Sequence, residues 1–151
     1  MSKAKAEELV MNAVQPRMRL GERPVGLVRV DSGPWLYVAL LLVAAAFALE
    51  INHAQDLAIM SLLLGALCAL RVKPYAMMLS DEALYIVRLR GRAVGGVEVI
   101  RPLVAVGFER NLLRMELDRR PFWLHPLYMG EDADNFERRL RAASTGIAVA
   151  Y

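Results

Sequence analysis

The stretch Leu79–Arg92, LSDEALYIVRLRGR, decides how this chain is read. From Leu84 to Leu89 it follows the period-two pattern of a strand, and the polar SDEA before it marks a turn from a preceding strand. Two runs joined so tightly predict an antiparallel hairpin. Yet the uncharged run Leu57–Leu70 ends only a few residues earlier. A charged, alternating segment therefore follows directly on a stretch of the composition that lipid selects.

The whole chain of 151 residues has room for one modest domain and some added elements. Its hydrophobic fraction of 56% exceeds the ~45–50% usual for globular domains, and the excess lies between Trp35 and Leu70. The flanks hold nearly all of the 19 basic and 16 acidic residues. Cys68 is the single cysteine, so no intrachain disulfide can form. A net charge of +3 without a concentrated basic surface gives no reason to expect a nucleic-acid partner.

The apolar runs Pro34–Leu49 and Leu57–Leu70, extended to Ile51 and Val72, predict a two-helix transmembrane hairpin near the lower length limit of ~17–20 residues. Trp35 and Tyr37 would sit in an interfacial belt, and Arg71 and Lys73 would snorkel at the other end. Lys and Arg flank the pair on both sides while the turn carries Glu50 and Asp56, which predicts an inner-membrane, multi-pass chain with both termini cytoplasmic. Competing readings are a cleaved signal peptide ending near Ala46 and Ala48, a helical hairpin buried in a larger core, and a shallow re-entrant hairpin. Ala45 and Ala48 on the first helix, with Gly65 and Ala69 on the second, are the expected close-packing positions. No ionisable side chain falls mid-run, so no ion or proton path is expected.

Before the hairpin, Lys3–Val14 predicts a short helix with Ala6, Leu9, Val10 and Ala13 on one stripe, ended by Pro16. Pro24–Val30 predicts a short strand that joins the later sheet. From Tyr75 onward short alternating runs predict an antiparallel meander, with Tyr85, Val87 and Leu89, then Val104, Val106 and Phe108, then Leu113, Met115 and Leu117 each sharing a face. Gly130–Ser144, GEDADNFERRLRAAS, predicts a closing helix, acidic at its start and basic at its end, with Ala133, Phe136, Leu140 and Ala143 on one stripe and Gly146 as its terminator. The expected organisation is thus 1–33 as N-terminal helix and strand, 34–72 as hairpin, 73–146 as the sheet domain and 147–151 as a tail.

This order of elements, with YAMMLSDEALYIVRLRGR, the IRPL of Ile100–Leu103, LVAVGFER and DNFERRLRA, resembles the bacterial PH-like domain membrane proteins. Ser80 stands at that family's hydroxyl position with Leu84 at matching spacing, and Arg101 interrupts its I-P-L element. The resemblance covers roughly Tyr75–Ser144. It implies a membrane α+β protein whose transmembrane hairpin precedes a small antiparallel PH-like sheet or barrel capped by a C-terminal helix.

No catalytic constellation is visible. His53 and His125 lack partners at metal-ligand spacing, Ser80-Asp81-Glu82 reads as a polar turn, and GRAVGG lacks the Gly-Lys-Ser/Thr of a phosphate loop. No enzyme activity, cofactor, metal or small-molecule substrate is expected. Arg88, Arg90 and Arg92 share one strand face and could meet anionic lipid headgroups; the alternative is a charged edge that discourages strand pairing. The chain is therefore expected to be a membrane-anchored interaction or accessory subunit that binds a protein partner or its own copies through the PH-like domain. A lipid-headgroup-binding module is the alternative, and a small phage- or element-encoded membrane protein a weaker one.

Overall fold

A computed structural model describes residues 3–91 and 93–145; Arg92, Gly146 and the tail 147–151 lie outside the described residues. The chain divides into two units, one formed by residues 1–32 together with 73–151 and the other by residues 33–72.

Among the described residues the first unit is built on seven antiparallel strands: β1 (Pro24–Asp31), β2 (Pro74–Ser80), β3 (Leu84–Arg90), β4 (Ala93–Ile100), β5 (Phe108–Arg110), β6 (Arg114–Leu117) and β7 (Arg120–Leu124). Their order is β4-β3-β2-β1-β7-β6-β5. The segment before the hairpin thus supplies the central strand of the sheet. Arg120 on β7 donates to both carboxylate oxygens of Glu98 on β4, at 3.0 and 2.9 Å. Strands so far apart in the order would stand well over 15 Å apart in a flat sheet, at ~4.8 Å per strand, so this pair requires a strongly curled one.

Pairing register explains the core. Val28 lies opposite Met77, Met77 opposite Ile86 and Leu79 opposite Leu84, and all of them face one buried cluster. Met115, Leu117, Phe122 and Leu124 continue this face on β6 and β7. Helix α4 (Glu131–Ser144) closes it with Ala133, Phe136 and Leu140, all buried. The other face is covered as well: α1 (Lys3–Val14) lays Val10 and Val14 on Ala76, Met78, Tyr85, Val87 and Leu89. Tyr85, Val87 and Leu89 do share a face, but it is the one under α1, while Leu84 and Ile86 between them line the main core. Val104, Val106 and Phe108 do not form a strand face, because Leu103–Ala105 is a 3-10 turn that buries Leu103 and Val106 and leaves Val104 exposed.

The second unit is the hairpin of α2 (Trp35–Ile51) and α3 (Gln55–Leu70). The expected transmembrane hairpin is overturned: among the described residues no helix is long and apolar enough to cross a membrane. The expected multi-pass inner-membrane placement, with both termini cytoplasmic, falls with it. The reason lies at the helix ends. At ~1.5 Å per residue, the 17 residues of α2 and the 16 of α3 give about 25 and 24 Å, against the ~30 Å of a hydrocarbon core. Asn52 ends α2, its Nδ2 donating to the Ala48 carbonyl at 2.7 Å, and His53 turns the chain at φ 59°. Arg71 caps α3, and the chain enters β2 at Pro74, so the extension to Val72 is not helical.

Candidate interaction surface

Within the hairpin, close approach is centred on Gly65. A Cβ there would stand 3.4 Å from both the Ala39 carbonyl oxygen and the Leu42 Cβ, already in van der Waals contact, so there is no room between the helices for a side chain much larger than a methyl group. Ser61 Oγ donates to the Leu42 carbonyl at 3.0 Å, a second tie between the helices. The other buried small side chains are Ala39 and Ala46 on α2 and Ala58 and Cys68 on α3, whereas Ala45, Ala48 and Ala69 are exposed. Of the four packing positions expected from the sequence, Gly65 makes the contact. Trp35 and Arg71 meet each other at the hairpin base, the guanidinium 5.2 Å from the ring centroid. Tyr37 is half-buried and Lys73 exposed.

Because the helix contact uses small residues, the large ones point away from it. Leu41 (70%), Phe47 (68%), Ile51 (78%), Met60 (66%), Leu63 (62%) and Leu70 (82%) stand open, and most of the exposed large apolar side chains among the described residues lie on these two helices. Acidic, basic and amide side chains are confined to the tip, with Glu50, Asn52, His53, Gln55 and Asp56, and to Arg71 and Lys73 at the base. A helix apolar on all sides is ordinarily enclosed, and a continuous exposed apolar patch marks a docking surface.

Of the basic strand face expected from the sequence, Arg88 and Arg90 are described and Arg92 lies outside the described residues. Arg88 and Arg90 alternate with Leu84 and Ile86 and so continue the core face of β3 past its apolar end. Arg88 is half-buried. The Arg90 stem lies over a bulge in β4, where a Cβ at Gly95 would come within 3.1 Å of it.

One polar cluster escaped the sequence reading because its members are scattered along the chain. The buried Glu22 carboxylate accepts from Ser80 Oγ and an Arg101 guanidinium N–H, from the Tyr85 hydroxyl at 2.7 Å and from the Arg19 backbone N–H at 2.8 Å. Burial pushes this carboxyl up, but the hydrogen bonds from Ser80, Arg19 and Tyr85 and the Arg101 charge outweigh it and hold the group below its ordinary value. Burial and the neighbouring Glu22 push the Tyr85 phenol up to about 12. Ser80 also accepts from the Ala83 N–H at 2.9 Å, so its hydroxyl pins the β2–β3 turn. With its oxygens filled, the cluster is a clasp that fastens the Arg19–Arg23 segment to β2, β3 and the Arg101 side chain. Arg101, next to Pro102 in the IRPL segment, thus supplies its cation.

At the end of β1, Asp31 is 1% exposed and neither carboxylate oxygen has a hydrogen-bond partner among the described residues. Burial raises its carboxyl to about 6 against the opposing pull of Arg29. Burial and the same Arg29 lower the His125 imidazole to about 4. No group of three or more His, Cys, Asp or Glu among the described residues is placed to hold a metal. Comparison with protein families, with curated proteins and with solved structures finds no match to this chain.

Proposed function

We propose that the protein is a non-catalytic interaction subunit: a PH-like sheet-and-helix body carrying, between its adjacent strands β1 and β2, a helical hairpin that docks on protein. The supporting observation is the band of open leucines, Phe47 and Met60 on α2 and α3, bounded by polar ends. Each such side chain gains roughly 1.5–3 kcal/mol when fully covered, so a few of them provide ample driving force for assembly. The insertion point fits this role. Ser32 N–H donates to the Lys73 carbonyl at 3.1 Å, closing the neck through which the chain leaves and re-enters the body.

The test is site-specific photo-crosslinking in cells expressing the full chain. A photoreactive residue at Leu41, Phe47 or Leu63 is expected to give discrete protein adducts, whereas one at Arg138, exposed on α4, gives none. Hairpin positions that yield no protein adduct refute the reading.

A further inference from the structure

Helix α3 has a symmetry that points to what covers it. Asp56, Met60, Leu63, Leu67 and Leu70 follow one another at alternating spacings of four and three, the seam of a helix that packs lengthwise on another. All but Asp56 are large and apolar, and the apolar four are at least 60% exposed. About the midpoint between Leu63 and Leu64, α3 also reads nearly the same in both directions. Leu57 mirrors Leu70, Met60 mirrors Leu67, and the acidic Asp56 mirrors the basic Arg71.

We infer that α3 pairs antiparallel with α3 of a second copy, about a two-fold axis passing between Leu63 and Leu64. This rests on reading the hairpin as the docking element. In that arrangement leucine meets leucine or methionine along the whole seam, and each end sets Asp56 of one copy against Arg71 of the other. An isologous contact repeats every interaction twice, so both ends are complementary at once. Parallel pairing would instead place Asp56 on Asp56 and Arg71 on Arg71. Glu50 adds to the argument. It stands exposed in the last turn of α2, where the helix dipole disfavours an acid, and the tip has no Lys or Arg to offset it. A second copy running the other way brings Arg71 and Lys73 to that tip.

Sedimentation velocity of the full chain in detergent-free buffer is expected to show a species of twice the chain mass. Asp56→Arg alone, or Arg71→Asp alone, makes both ends repulsive and raises the dimer dissociation constant by about tenfold. The double variant Asp56→Arg/Arg71→Asp, and an equimolar mixture of the two single variants, restore the wild-type value; recovery in the mixture also establishes that each single variant is folded. A wild-type chain that is monomeric throughout overturns the pairing, as does one that floats with phosphatidylglycerol vesicles instead of dimerising. A dimer indifferent to the reversals, or not recovered in the mixture, overturns it too. A monomer that still crosslinks to protein through Leu41 and Leu63 refutes this pairing alone and leaves the docking role standing.

Discussion

Asp31 and His125 both tie the stability of this fold to pH between about 4 and 6.5, and they act in opposite directions. With its folded carboxyl near 6, Asp31 keeps its proton in the native chain after the unfolded chain has released it near 3.8. Its contribution therefore destabilises the fold progressively as pH rises between about 4 and 6. His125, near 4 when folded and 6.5 otherwise, is protonated first in the unfolded chain, so its contribution is lost as pH falls through that window. The two slopes offset each other. Asp31→Asn removes one of them: urea denaturation is expected to find the variant about 2 kcal/mol more stable than wild type at pH 7, with stability now climbing from pH 4 to 6.5. A variant that keeps the flat profile contradicts this assignment. None of it was legible in the sequence, where Asp31 is one acid beside a turn and its burial depends on pairings with Pro74 and Trp123, both distant along the chain.

At the scale of elements, periodicity located α1 and α4, and the strand runs around SDEA and GRAVGG, because those depend on local spacing. Which face each strand buries was less accessible. Strand β3 is covered on both sides, so its alternation marks two cores rather than an inside and an outside. The hairpin departs from the sequence expectation for a related reason: an uncharged run fixes composition, while helix length depends on where Asn52, His53 and Arg71 end the hydrogen-bond ladder. The β6–β7 turn bears a testable strain. Asp118 and Arg119 both have positive φ, 47° and 67°, as the preferred two-residue hairpin turn requires. Asp118 recovers part of the cost by accepting the Gly107 N–H at 2.8 Å, but no hydrogen bond of this kind is made by the Arg119 side chain among those described. Arg119→Gly is expected to raise stability by about 0.5–1 kcal/mol in thermal or urea unfolding, since glycine takes this conformation freely. Destabilisation would show that the Arg119 side chain holds the turn.

At the scale of the whole molecule, the two units divide the physical tasks. The body satisfies its own surfaces: α4 and α1 cover both faces of the sheet, and the Glu22 clasp fastens the segment between α1 and β1. The hairpin leaves its large side chains open, and that difference carries the functional reading. Thiol accessibility measures it most directly. In a Cys68→Ser background, Leu63→Cys on the hairpin and Leu112→Cys, at a position 79% exposed on the body, are compared for maleimide reaction in the particle purified without detergent or lipid. The account predicts that Leu112→Cys reacts at the rate of a free thiol while Leu63→Cys is slowed at least tenfold by the protein covering it. Equal rates at the two positions would contradict it.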